Sequence, residues 1–414
     1  MKYVKTRKNK LKRELGLGLL IFYGLGNIVG AGIYVLIGKV VGEAGSNAPL
    51  SFIIAAAVAA LTAFSYAELS SRYPVASGAS GYLKTAFGHK SIPIIVGLGM
   101  VLAGATSSAT LINGMVGYIH EVINLNQDLL KVIVILALVG TIFAGMKQSA
   151  LIASLFTVIE LGGLIFIIIL GYMKSGPAVN LEVFNPSGWN LNLVAPTISA
   201  TFLAVYAYLG FEDIVNMAED VKHPRRNLPL SMIVSLVVAT ILYILVLGVA
   251  MGNVSSEKLS SSAAPLRLVF QSVSSTNPLF LTIVGIIAAG NGIIVNAVMG
   301  SRVLYGLSEK KMMPKLFLKL SSRSVPIATT AIMIALLSVL TMAVPLVRLA
   351  KFTSLLVLLV FILVNLSLLK IKWDNRGKHN PEHVFIINKL IPIGGLLSSF
   401  ILFCFEIAKT FNLA

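Results

Sequence analysis

Gly24-Leu25-Gly26-Asn27-Ile28-Val29-Gly30-Ala31-Gly32-Ile33-Tyr34 sets four glycines and an asparagine inside a long apolar run. A helix there should be uniform. Each glycine costs roughly 1 kcal/mol relative to alanine in a helix interior, so the cluster predicts a local break. A break frees N–H groups on one fragment and C=O groups on the other. The fragment that begins near Gly30-Ala31-Gly32 would present N–H donors and the positive end of a helix dipole, which suit a carboxylate. The carbonyls freed around Ile28 would suit an ammonium group. A second interruption, Tyr206-Ala207-Tyr208-Leu209-Gly210-Phe211, would add carbonyls of the same kind. Donors and acceptors at one depth describe a ligand with the head group of an α-amino acid. The competing reading is close helix packing through small residues. It suits one glycine motif well, but two interruptions at corresponding places favour a site.

Glu160, in Thr157-Val158-Ile159-Glu160-Leu161-Gly162-Gly163, has no lysine or arginine within a helical turn. An ionised carboxylate at bilayer depth costs several kcal/mol. Glu160 is therefore expected to be protonated part of the time or paired across helices, as a proton carrier would be. A structural hydrogen bond to a neighbouring helix is the alternative. Glu212, with Asp213 beside it, is a second protonation candidate just past the Tyr206–Phe211 interruption. Glu219, Asp220, Lys222, Arg225 and Arg226 read as inner-loop ion pairs, with Glu68 and Arg72 as partners. Asn291, Asn296 and Ser107 suit either a cavity lining or interhelical hydrogen bonds. The five histidines show no metal-ligand spacing and Cys404 is the only cysteine, so no metal site, disulfide or cofactor is expected.

The elements that must position these groups follow from composition. The 414 residues are 57% hydrophobic and 12% charged, against about one quarter charged in an average soluble chain. Apolar runs of about 20 residues recur throughout, the signature of a polytopic membrane protein. Eleven spans are expected, near 16–41, 50–69, 92–119, 129–145, 150–172, 193–217, 228–251, 279–307, 327–343, 346–369 and 390–408, with an inner lead-in helix over 81–87. Leu15–Val41 is too long for a cleaved signal peptide. With the N-terminus in the cytoplasm, 25 of the 33 Lys and Arg fall on the inner side and 8 on or near the outer side. This positive-inside bias explains the net charge of +17 without a nucleic-acid partner. Five spans precede the polar Lys174–Asn192 loop and five follow it before the last. The first of each set carries the interruption, which points to inverted repeats with a substrate site between them. The expected organisation is a cytoplasmic segment over 1–15, repeats over 16–173 and 193–370, and an additional span over 388–410. No phosphate-binding Gly-x-x-x-x-Gly-Lys-Ser/Thr loop and no nucleophile–base set occurs, so neither a pump nor an enzyme is expected.

Several motifs in order over about 300 residues carry a resemblance. They are Gly26-Asn27-Ile28-Val29-Gly30-Ala31-Gly32-Ile33-Tyr34, Tyr66-Ala67-Glu68-Leu69 through Arg72-Tyr73-Pro74, and Tyr208-Leu209-Gly210-Phe211-Glu212. Glu219 through Arg226, Ser301-Arg302-Val303-Leu304-Tyr305-Gly306 and Met313-Pro314 complete the set. The chain resembles permeases of the amino acid–polyamine–organocation superfamily. The resemblance implies an all-α integral membrane protein of the LeuT-type five-plus-five inverted-repeat fold, with spans 1 and 6 broken. Spans 1, 2, 6 and 7 would then move as a bundle against spans 3, 4, 8 and 9. It implies a multi-pass transporter of the cytoplasmic membrane that moves amino acids by alternating access, by proton symport or by exchange. A membrane sensor or partner subunit is the alternative from another class, though no soluble domain is seen to relay a signal. Carried over residue by residue, the amides of Ala31 and Gly32, beside Gly30, would hold the substrate carboxylate. The carbonyls of Ile28, Tyr206 and Leu209 would hold its amino group, and Tyr206 would gate. Ala31 stands where a serine is common, so one side-chain donor is lost. Proton-coupled members carry a lysine near the place of Glu160, and this acidic replacement departs from their mechanism. The partners implied are an amino acid, a proton and the lipid bilayer.

Overall fold

Backbone N–H and C=O groups at hydrocarbon depth must find partners within the protein, and a helix satisfies them within a single segment. The computed structural model describes residues 13, 15–75, 78–88, 91–143, 150–175, 192, 194–309, 311–321, 323, 325–374 and 384–410, and these are almost wholly helical. In order they form α1 (Leu17–Val29), α2 (Ala31–Ala44), α3 (Ala48–Arg72), α4 (Gly78–Phe87) and α5 (Ser91–His120). Then come α6 (Gln127–Phe143), α7 (Ala150–Ser175) and α8 (Val194–Ala207), with a 3₁₀ segment, Phe211–Met217, beyond the end of α8. The remainder are α9 (Pro224–Asn253), α10 (Ser256–Ser261), α11 (Pro265–Val273), α12 (Leu279–Glu309), α13 (Ile327–Ala343), α14 (Leu346–Asp374) and α15 (Leu390–Thr410). Among the described residues the only β pairing is two isolated bridges, Leu15 with Val221 and Leu320 with Pro326. The expected segment over 1–15, apart from residues 13 and 15, and most of the Lys174–Asn192 loop lie outside the described residues.

Each of the eleven expected spans coincides with a helical segment, and the first and sixth are interrupted. Among the described residues eight stretches are long and apolar enough to cross a membrane, the first of them, Leu17–Arg72, divided by a 3₁₀ turn at Gly45–Asn47. The protein is an all-α, multi-pass membrane protein. The expected lead-in helix starts earlier, at Gly78. Two short helices, α10 and α11, lie where a loop was expected. Leu266, Val269, Phe270 and Val273 are the buried face of α11, at the i, i+3, i+4, i+7 spacing of an amphipathic helix. Gly38 of α2 lets the backbone of α10 approach closely, and the Lys39 ammonium donates to the Ser260 carbonyl.

The helices sort by packing. The broken pair α1/α2 packs on α8 and α9, and α3 packs on α8 and α9 as well. A second group forms around α5, which packs along α12 and touches α6 and α13. Between the groups, α7 reaches α1, α9 and α12, while α14 reaches α3, α5 and α8. Polar pairs pin α14 at depth. Asn365 accepts from Ser65 at 2.6 Å and donates to Thr62 at 3.0 Å, and Thr353 donates to Thr106 at 2.7 Å.

At one end of the bundle Glu68 meets Arg72 at 2.7 Å and Lys372 at 2.7 Å, and accepts the Ile387 amide at 2.9 Å. Glu68 thus joins Arg72, one turn on in α3, to Lys372 of α14. At the opposite end Glu43 meets Lys351 and Lys409, each at 3.1 Å, and Lys351 meets Glu406 at 3.3 Å.

Gly210 turns the chain out of α8 with φ at +117°, where an added Cβ would lie 2.6 Å from the Asn27 carbonyl oxygen. Alanine at this position meets both the left-handed strain and that contact, so Gly210→Ala is expected to cost about 1–3 kcal/mol. The thermal midpoint of the purified protein should fall. Gly290→Ala, inside α12 with no neighbouring element within 4 Å of the added carbon, should hold it or raise it slightly.

Candidate functional site

The two interruptions touch. α1 ends at Val29 and α2 begins at Ala31, with Gly30 (φ −41°, ψ −118°) as the junction and its amide still bonded to the Gly26 carbonyl at 3.2 Å. No side chain caps the start of α2, so its first amides retain the donors that a helix leaves unpaired. A Cβ at Gly32 would lie 2.7 Å from the Ala207 Cα. With Gly210 against Asn27, this gives two glycine contacts, one on each side of the crossing. Gly26 in turn meets the Thr157 side chain of α7, where any Cβ would collide.

Between the breaks stands a residue the sequence did not single out. The Tyr243 hydroxyl, buried on α9, lies 2.6 Å from the Ile28 carbonyl oxygen and 2.8 Å from that of Ala207. One proton is shared between a carbonyl freed by each break. The only available signal was a phenol in the middle of an apolar span, and its two partners lie far away in sequence. On the other side, the Glu212 carboxylate accepts the Gly210 amide at 2.9 Å, and the Tyr206 carbonyl accepts the Leu209 amide at 3.2 Å.

A cavity of about 120 Å³ opens at the crossing. On the same measure one water needs about 10–15 Å³, so the space holds a small polar solute or several waters. Ile28, Gly30, Gly32, Tyr206, Leu209 and Glu212 all line it. Ala31 is the first residue of α2, and its side chain lies outside the described residues. Asp213 lines the cavity beside Glu212. Apolar walls come from Met100, Val295, Met299, Val357 and Phe361. The Tyr206 hydroxyl reaches Ser107 of α5 at 2.9 Å, and Asn296 of α12 donates to the same serine at 3.2 Å. Tyr206 thus closes a polar chain across the cavity, from the broken-helix group to the α5 group. Ser107 and Asn296, for which two uses were open, line the cavity and hydrogen-bond across helices at once.

Glu160 does not line the cavity. It is fully buried one layer behind Gly30, with Oε2 3.9 Å from where a Gly30 Cβ would be. Its Oε1 accepts from Asn291 at 3.3 Å, and Oε2 has no hydrogen-bond partner among the described residues. Asn291 does line the cavity, so one amide separates the carboxylate from it. Tyr34 donates to the Glu160 backbone carbonyl at 2.6 Å and fixes this turn of α7 against α2. No group of three or more metal-ligating side chains occurs among the described residues.

Two touching helix breaks over a cavity of mixed polar and apolar lining, in an all-α multi-pass membrane protein, define the class of membrane permease folds with discontinuous helices. The comparisons place the chain within it: it belongs to the amino acid permease family, whose model matches residues 15–412. It is 29% identical over 392 residues to a mitochondrial cationic amino acid transporter 3 of Arabidopsis thaliana, covering 88% of this chain and 63% of the relative. It is 25% identical over 388 residues to the branched-chain amino acid permease BcaP of Bacillus subtilis, covering 88% of this chain and 82% of that one. A methylthioribose transporter of Bacillus subtilis is 27% identical over 342 residues, covering 76% and 71%. The chain spans less than two thirds of the plant transporter's length.

Tyr243→Phe keeps the ring and removes the bridge. Two buried carbonyls then lose a partner, which costs about 1–3 kcal/mol. The variant is expected to show a lower thermal midpoint together with a changed substrate affinity. A fall in midpoint with unchanged affinity would assign the hydroxyl to stability alone.

Proposed function

We propose that this protein is a secondary active transporter that carries amino acids across the cytoplasmic membrane by alternating access, as a proton symporter with its N-terminus in the cytoplasm. The observation that carries the reading is the meeting of both helix breaks on one cavity. The uncapped amides at the start of α2, those of Ala31 and Gly32, receive the substrate carboxylate. The amino group is received by carbonyls of the breaks: Ile28 and Tyr206 each have one lone pair already engaged and a second that can accept. Leu209 supplies a third. Tyr206 is the gate, because its contact with Ser107 must open for that side of the cavity to be reached. The packing division supports the broken-helix group, α1, α2, α3, α8 and α9, as the part that rocks against the α5 group, and the five-plus-five inverted repeat is the topology that fits it.

Glu160 carries the proton in this reading. Its support is burial, a carboxylate oxygen with no partner among the described residues, and a single amide between it and the cavity. Asn291 can serve both protonation states, donating to the carboxylate and accepting from the acid. Glu212, which caps the break through Gly210, is the second protonation site.

Purified protein in liposomes with an imposed inward proton gradient and no internal substrate is expected to accumulate a labelled amino acid above its external concentration. Flux that requires internal amino acid would identify an exchanger instead. Glu160→Gln is expected to abolish gradient-driven accumulation while retaining counterflow between labelled and unlabelled substrate. Accumulation by the variant with the pH gradient as sole driving force would remove Glu160 from the coupling role.

A further inference from the structure

A second and larger cavity, of about 1030 Å³, lies at the end of the bundle where α3 finishes and α9 begins. Its polar lining is basic: Arg13, His223, Arg225 and Arg226, with no aspartate or glutamate among the described lining residues. Its other walls are apolar, chiefly Leu230, Ile233, Val384 and Phe385.

The groove is built by one backbone exception. Pro229 lies inside α9 and has no N–H, so the Arg225 carbonyl one turn earlier loses its helical partner. The Ser71 hydroxyl of α3 donates to that carbonyl at 2.8 Å and accepts the Phe385 amide at 2.9 Å. One serine thereby fixes the end of α3, the start of α9 and the segment before α15 around the same space. The charge and the apolar surface also share a direction. Arg226, Pro229, Leu230 and Ile233 follow one another at i, i+3, i+4 and i+7, a single face of α9. That face continues outward as Val237 and Ile241, whose side chains are 52% and 54% exposed.

We infer that this groove binds an anionic phospholipid, the phosphate among the arginines and an acyl chain along the Leu230–Ile241 stripe of α9. A topology bias accounts for basic residues at this end of the molecule. It does not account for their gathering around a cavity whose wall continues into an apolar helix face. A free phosphate would use the basic end alone and leave the stripe unused.

The test uses the full chain in nanodiscs of phosphatidylcholine with and without phosphatidylglycerol, and reads retained lipid by native mass spectrometry. The wild-type protein is expected to retain phosphatidylglycerol over phosphatidylcholine. The double variant Arg13→Gln/Arg226→Gln should retain about 30-fold less, since each basic side chain near an anionic lipid surface is worth roughly fivefold. Ile233→Gln, which keeps every basic residue, should also reduce retention. Equal retention of both lipids by the wild-type protein would overturn the proposal. So would displacement of the lipid by millimolar inorganic phosphate together with an unaffected Ile233→Gln, which would mark a site for a free anion. If the double variant does not fold, the wild-type lipid comparison and Ile233→Gln decide.

Discussion

A helix broken at membrane depth exposes backbone groups that hydrocarbon cannot satisfy, and the rest of this structure depends on how that constraint is met. Tyr243 meets most of it, with one hydroxyl placed between a carbonyl of each break. Glu212 takes the Gly210 amide, and the Gly30 amide stays with Gly26. The uncapped amides that begin α2 remain, and Gly30 and Gly32 beside them line the cavity. A buried donor without a partner costs about 1–3 kcal/mol, which a ligand that accepts from it can recover on binding. The same physics that makes a break expensive makes its free donors the place where an accepting ligand would gain most.

That arrangement tolerates little displacement, and the framework supplies its stiffness. Gly32 against Ala207 and Gly210 against Asn27 bring backbone to backbone, where no side chain can yield. α14 is held at both ends, by Lys351 to Glu43 and Glu406 and by Lys372 to Glu68. Removing one partner of a buried pair costs about 3–5 kcal/mol, far more than an exposed pair is worth. Glu68 is fully buried, with Arg72 and Lys372 nearly so, which places this cluster in the expensive class. The cluster around Glu43 is more exposed and so weaker per pair, although it joins α2, α14 and α15 through four charges and the Ser199 hydroxyl.

Both breaks were legible in the sequence because glycine clusters and interrupted apolar runs are local signals. Glu160 was legible for a similar reason, as a lone charge in an apolar span. Its partner was not, because Asn291 lies on α12 and nothing local relates the two. Tyr243 was missed on the same ground: a phenol in a span reads as packing until its two carbonyls are in view. α10 and α11 were missed because six and nine residues are too short for periodicity to stand out from a loop. The inner-loop charges were read as mutual ion pairs. Glu68, read as one of their partners, also pairs with Lys372 of α14, a contact set by helix packing that sequence spacing does not encode.

α9 links the two cavities. Arg226 and Tyr243 stand about 25 Å apart along this one helix at 1.5 Å rise per residue. A helix transmits displacement along its axis with little loss, provided its hydrogen-bond ladder is continuous. The ladder of α9 is interrupted once, at Pro229, and Ser71 of α3 fills that gap. The start of α9 is therefore braced against α3, while its middle carries the Tyr243 hydroxyl to the two breaks. The two cavities are thus built along one helix, without any contact between them.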